Sequence, residues 1–338
     1  MVVVRTVLGD ISPKELGAVL PHEHTFFHWL GAESDHRSSY DREEVLQAVA
    51  SELKRVKEAH GVSGLVDVTT SDAGRNVEFM AELSRRSGVH IVAATGFYTQ
   101  SMGIPYYWRV RPIDALEEFF AREIAEGVIG TDTKCGVIKL ASGPELGKPL
   151  PALGAEVDDS AGRPAPHEER AFKAAARVQK RLGVAITTHT DPYDWAIGNI
   201  GAGQLDLLEE GGADLSRCII GHAEGNRDIS QLVEILKRGA NVGIDTIGYV
   251  SRSLNDGIRL GLVTALVTMG YAGQLLLSHD RVLFEMRCPP TERDPRRYNG
   301  QNLGKLFEEF IPGLLNSGVS EEVIHQITVE NPQRIFAF

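Results

Sequence analysis

Short β-branched runs alternate with longer amphipathic stretches along nearly the whole chain, and this alternation constrains the fold more than any other feature. Apolar runs occupy residues 17–24, 64–70, 90–96, 135–141, 184–189, 218–222, 241–246 and 275–279. Between them, helical periodicity marks Asp41 to His60, Asn76 to Ser87, Pro112 to Glu126, Pro166 to Leu182, Gln204 to Gly211, Arg227 to Arg238 and Leu254 to Met269. Most runs are continuously apolar, as strands covered on both faces require, and strand–helix alternation produces a parallel sheet. Eight such units in 338 residues predict one domain, residues 1–338, folded as a closed (β/α)8 barrel with its site at the C-terminal ends of the strands. A doubly wound open sheet is the structural alternative. Against it, no Gly-x-Gly-x-x-Gly follows the first run, where a dinucleotide fold places one.

The ends of these runs carry the chemistry. In Pro21-His22-Glu23-His24-Thr25 two histidines at i and i+2 share one face of a strand, so both imidazoles can reach one point as metal ligands. Metal-capable residues recur at the ends of other runs: Lys139 on the fourth, His189 on the fifth, His222 on the sixth and Asp280 just after the eighth. Any one of them alone reads equally well as a satisfied core residue; their shared placement on one barrel rim makes the set specific. The histidines at 28, 36, 60, 90, 167 and 325 lie on loops, helices or strand starts and read as structural or exposed.

Lys139 stands inside the apolar strand Gly136-Val-Ile-Lys139-Leu-Ala. A buried amine tends to lose its proton, and the neutral amine can add carbon dioxide to form a carbamate, an anionic ligand able to bridge two metal ions. Pairing with a carboxylate such as Asp67 or Asp280 is the other reading of the same strand.

Charge and composition exclude several classes. Acidic residues outnumber basic ones, 46 to 35, giving a net charge of -11 without a basic run, so no nucleic-acid partner is expected. No stretch of about 18 apolar residues occurs, and the start lacks a basic leader followed by an apolar segment, so the expectation is a cytoplasmic protein without a membrane span. Cys135, Cys218 and Cys288 are too scattered for a disulfide framework or a cysteine zinc site. No Gly-x-Ser-x-Gly elbow points to a serine nucleophile. The least regular stretches, Gly143 to Arg163 and Arg281 to Asn302, both follow strands and would lie on the active face of a barrel.

In combination, His22-x-His24, Val-Ile-Lys139, Thr188-His189, Gly221-His222 and Ser278-His279-Asp280 resemble the phosphotriesterase family of the amidohydrolase superfamily, with Val66-Asp-Val-Thr69, Gly74-Arg75 and Asn331-Pro332 in the same order. The resemblance implies a (β/α)8 barrel with two divalent metal ions bridged by carbamylated Lys139 and a hydroxide. Zinc leads, with cobalt, manganese or iron also accepted by such ligands. It further implies that His22, His24 and Asp280 hold a buried ion and His189 and His222 a more exposed one, that Asp280 moves the proton of the attacking hydroxide, and that the protein is a homodimer.

Ala94-Thr-Gly-Phe-Tyr98, Ile104-Pro-Tyr-Tyr107 and Gly225-Asn226 are similar to the lactonase branch, which implies that Tyr98 lies over the metals. One departure stands out: lactonases usually read Asp-Arg and phosphotriesterases Asp-His where this chain reads Asp245-Thr246. Arg281, Val282, Leu283 and Phe284 are expected to wall the leaving-group pocket, with Trp195 as another wall. Arg281 or Arg287 would serve an anionic group or simply form surface ion pairs. The expected activity is opening of a lactone or cleavage of a related carboxylic ester, a small-molecule substrate, with promiscuous phosphotriester hydrolysis. The alternatives are another ester, amide or organophosphate substrate, or a non-catalytic binding protein on the same barrel.

Overall fold

Every predicted apolar run becomes a strand. A computed structural model describes residues 2–143, 162–191, 198–226, 228–250, 254–286 and 302–338. An antiparallel hairpin, β1 (Val4–Thr6) and β2 (Gly9–Ile11), precedes eight parallel strands: β3 (Ala18–Glu23), β4 (Val62–Asp67), β5 (His90–Gly96), β6 (Val137–Ala141), β7 (Ala185–His189), β8 (Cys218–Ile220), β9 (Asn241–Ile244) and β10 (Leu275–Leu277). These eight lie side by side in chain order, the arrangement of a (β/α)8 barrel. Among the described residues, no helix is long and apolar enough to cross a membrane.

Side-chain orientation follows the two-residue period of a strand. On β5, Ile91 and Ala93 pack outward with the helices, whereas Val92 and Ala94 join the barrel interior with Val66, Val137, Ala185, Ile219 and Leu276. Each fully buried Val, Leu or Ile among them contributes about 1.5–3 kcal/mol. The base of the interior is plugged by Val4 from the hairpin and by Ile335 and Phe336 from the C-terminal helix Asn331–Phe336. The same period turns Lys139, two residues beyond Val137, into the upper barrel.

Helix starts follow local capping chemistry. Asp41 accepts from the amides of Glu43 and Glu44 ahead of Arg42–His60, and Asn76 accepts from that of Phe79 ahead of Val77–Ser87. The helix predicted from Gln204 begins earlier, as Ile200–Glu210, because the Asn199 side chain caps it. The hairpin was not predicted: its three-residue strands are too short for a periodicity signal.

Two irregularities shape the active face. Leu20 pairs with Leu65 but Glu23 with Asp67, so β3 spends one residue more than β4 over the same distance. This bulge resets the alternation, sending His22 and His24 to the site and Glu23 to the seam with β10. The seam is closed past the end of β10, where His24 N donates to Arg281 O (2.8 Å) and Leu283 N to His24 O (2.8 Å). Fully buried Glu23 fastens it, accepting from Ser278 Oγ (2.8 Å), His279 N (3.0 Å), His279 Nδ1 (2.8 Å) and Arg281 N (2.7 Å).

Candidate active site and metal centre

The barrel gathers His22, His24, Lys139, His189, His222, Asp280 and Tyr98 around one pocket at the C-terminal ends of the strands. Lys139 Nζ lies 3.1 Å from His22 Nε2, and Asp280 Oδ1 lies 3.2 Å from His24 Nε2 and 3.6 Å from His22 Nε2. The His222 ring is centred 4.8 Å from that of His22 and 4.6 Å from that of His189. Ligand-type atoms of His22, His222 and Asp280 all fall within 4.8 Å of one another.

Three of these imidazoles are braced through Nδ1. Asp245 Oδ2 lies 2.8 Å from His22 Nδ1, and its Oδ1 lies 2.7 Å from His222 Nδ1. His24 Nδ1 meets Thr69 Oγ1 at 2.8 Å, while Thr69 N donates to Asp67, which also takes the amide and hydroxyl of Thr25. Such partners fix the tautomer and aim the other ring nitrogen. Nε2 of His22 and His24 then face the cluster, so a sulfur-free set of nitrogen and oxygen donors fits divalent cations of the zinc, cobalt, manganese or iron kind.

His222 and Asp280 are the two described non-glycine residues with positive φ, 53° and 54°. Each is held from both sides. His222 N donates to Asp245 Oδ1 (2.9 Å), Asp280 N donates to His22 O (3.0 Å), and Tyr249 Oη donates to Asp280 O (2.8 Å). A third tight turn delivers Tyr98. Gly96 (φ 121°) ends β5 where a Cβ would collide with the carbonyl of Lys139, so only glycine lets the chain leave the strand toward the pocket.

Burial dominates the electrostatics. It pushes Lys139 down to about 8, against the attraction of Asp245 and Asp280. With the Lys139 charge it pushes His22 down to about 4, and with His222 it holds His189 well below the usual imidazole range. Burial opposes charge on His222 as well, but Asp245 and Asp280 outweigh it and raise that imidazole to about 9. Asp245 and Asp280 stay well below the usual carboxylate range because the surrounding histidines overcome their burial.

Not every expected wall residue reaches the pocket. Val282 does, beside Phe27, Trp29, Val68, Tyr249 and Glu285. Leu283 is instead 1% exposed within the hydrophobic core, and Phe284 packs on Phe26 and Tyr40. Arg281 stacks its guanidinium over Tyr249, 4.7 Å from the ring centre. The reason is pairing: residues 282 and 285 bridge to 24 and 27, so the intervening side chains turn away from the opening. Trp195 and Arg287 lie outside the described residues. Tyr98 places its hydroxyl 3.4 Å from His189 Nε2, while its amide donates to the buried Asp72. Sequence reasoning missed Asp245 as the shared brace and Phe27, Trp29 and Tyr249 as walls. An aspartate ending an apolar strand was the only signal for the first.

Known proteins share the sequence pattern and fold of this chain. A model of the phosphotriesterase family matches residues 2–336. A phosphotriesterase homology protein of Mycobacterium tuberculosis is 30% identical, over 98% of this chain and 97% of that protein. An aryldialkylphosphatase of Saccharolobus solfataricus is 29% identical, over 97% of each. A PTE-like lactonase mutant from Deinococcus radiodurans superimposes with a TM-score of 0.87 at 34% identity, over 98% of this chain and 99% of that one.

Proposed function

The chain belongs to the phosphotriesterase family, and on that footing we propose that it is a binuclear metal-dependent hydrolase that opens lactones or cleaves related carboxylic esters, with phosphotriester hydrolysis as a side activity. It is a hydrolase acting on ester bonds; the metal chemistry and the choice of ester make up the proposal. The observation that carries them is the Nδ1 bracing of His22, His24 and His222, which has no use on a surface and suits a metal cluster.

In this reading His22, His24, Lys139, His189, His222 and Asp280 would hold two divalent ions, which would supply Lewis acidity and a hydroxide nucleophile at neutral pH. The neutral Lys139 amine would attack the carbon of carbon dioxide and release one proton, so that a neutral amine becomes an anionic, carboxylate-like ligand. Asp280, kept ionised by its histidine neighbours, takes the proton of the attacking group on a carboxylate oxygen and passes it to the departing alkoxide. The Tyr98 hydroxyl, 3.4 Å from His189 Nε2, would donate a hydrogen bond to the substrate oxygen. Phe27, Trp29, Val68, Tyr249 and Val282 give the pocket an apolar, aromatic wall that suits a lactone ring and acyl chain. The resemblance to the lactonase in solved structure supports the same choice. The reading includes a homodimer, which light scattering would report as twice the 36.9 kDa chain.

The test is pH-stat hydrolysis of aliphatic and acyl-homoserine lactones, aryl esters, amides and a phosphotriester by protein whose metal content has been counted. Lactone turnover that dominates the panel and disappears on chelation supports the proposal. Two bound metals with turnover confined to amides or phosphotriesters would overturn the lactonase reading, and absence of stoichiometric metal would overturn the metal-site reading.

A further inference from the structure

The turn after β9 is held by a guanidinium that arrives from the next helix. Arg259, in Asp256–Thr268, is 1% exposed and heads the fully buried side chains by volume. Its Nη1 donates to Tyr249 O and to Asp256 Oδ1, both at 2.8 Å, and its Nη2 donates to Thr246 Oγ1 at 2.8 Å. Its Nε lies 3.5 Å from Glu224 Oε1. Glu224 is buried too and accepts from Thr246 N (2.7 Å), Thr246 Oγ1 (2.5 Å) and Asp245 N (3.4 Å). The Thr246 hydroxyl therefore receives a proton contact from Arg259 and passes one to Glu224, joining a buried ion pair through a neutral group.

Both ends of this network lead to the site. Glu224 lies in the short turn Ala223–Gly225 directly after His222, whose φ is 53°. Tyr249, whose carbonyl Arg259 holds, gives its hydroxyl to the carbonyl of Asp280, whose φ is 54°. A residue with a side chain keeps the left-handed conformation only where its surroundings over-determine it. Here the two such residues are reached by the two arms of one guanidinium.

We propose that Arg259 is a positioning residue for the active site, fixing the His222 turn through Glu224 and the Asp280 turn through Tyr249. Its effect on metal rests on the metal-site reading above; its effect on the two turns does not. A Lys in its place would supply the charge without the planar fork that serves Thr246, Asp256 and Tyr249 together.

The experiment compares wild type, Arg259→Met and Arg259→Lys by amide hydrogen exchange of the metal-free proteins and by cobalt release to a chelator. The reporters are the hydrogen-bonded amides of His222 and Asp280 (2.9 and 3.0 Å). In Arg259→Met both should exchange about tenfold faster or more while β4 and β5 are unchanged. Cobalt should leave about 10–100-fold faster, kcat should fall more than KM changes, and Arg259→Lys should lie between the two. If Arg259→Met does not fold, Arg259→Lys carries the same comparison. Unchanged exchange at either amide, or an equal rise in every strand, overturns the proposal. Wild type that binds no cobalt sinks the metal-site reading, while the two amides still decide the role of Arg259.

Discussion

The Lys139 amine lies 3.1 Å from Nε2 of His22, and the barrel leaves these side chains 1% and 2% exposed. Burial drives the amine down to about 8 against the pull of Asp245 and Asp280, and burial together with the Lys139 charge drives the imidazole down to about 4. Only the neutral amine adds carbon dioxide. With a value of about 8, the neutral fraction rises from about a tenth at pH 7 to about nine tenths at pH 9. At fixed dissolved carbon dioxide, metal uptake by the stripped protein should therefore accelerate several-fold over that range. Lys139→Met should purify short of two metals and regain them in part with a short-chain carboxylic acid. If it keeps both without added acid, as counted by atomic emission, the carbamate is wrong.

Asp245 couples two of the proposed ligands through one carboxylate, 2.8 Å from His22 and 2.7 Å from His222. Asp245→Asn keeps the shape, removes the charge and should cost about 10–100-fold in metal affinity or turnover. A pH signature separates this from simple damage. Because His222 is raised from 6.5 to about 9, its contribution to stability is complete below about 6.5 and is lost as pH climbs toward 9. Asp245 supplies much of that rise, so the stability gap between wild type and Asp245→Asn, both metal-free, should shrink over the same window. Chemical denaturation at pH 6 and pH 8.5 measures it; a gap independent of pH would contradict the pairing.

Tyr98 has a ring packed on Trp29 and His189 and a hydroxyl turned to the pocket. Tyr98→Phe preserves the packing, so the melting temperature should hardly move while lactone kcat falls about 100–1,000-fold, as expected when one hydrogen-bond donor to a developing oxyanion is removed. Untouched turnover with a lowered melting temperature would make the residue structural.

What was legible in the chain was local. The alternation of apolar runs and helices showed the barrel, and a polar residue that ends an apolar run announces itself, so the gathering of His22, His24, Lys139, His189, His222 and Asp280 in one pocket could be read from strand ends. What depends on partners far apart in sequence could not. Asp245 meets His22 across 223 positions, and Glu23 grips Ser278 and His279 across more than 250, with no spacing rule to connect them. The bulge between Leu20 and Glu23 decides which residues of His22-Glu23-His24 face the site, yet it appears only in the pairing with β4. Leu283 was misplaced for a related reason. Its neighbour Val282 bridges to His24, and that contact sets the side-chain direction.

Away from the proposed ligands, Arg75 and Glu123 form a pair in which each side chain is 5% exposed. Two bonds of 2.6 Å join them, and Arg75 also donates to Ala94 O (2.8 Å) while Thr95 Oγ1 donates to Glu123 (2.5 Å). The pair ties the loop after β4 to the helix Ile113–Ala125. Removing one member leaves the other charge buried without its counterpart, so Arg75→Met should cost about 3–5 kcal/mol in urea unfolding. Replacing both, as Arg75→Met with Glu123→Leu, should recover most of that, because two apolar groups of similar size need no counter-charge. Recovery should stop short of complete, since Ala94 O and the Thr95 hydroxyl lose partners worth about 0.5–1.5 kcal/mol each. Metal content should be the same in all three proteins, as none of the proposed ligands touches this pair. A single substitution costing under about 1 kcal/mol would mean that Glu123 sheds its charge or finds water, and the pair would then contribute little to the fold.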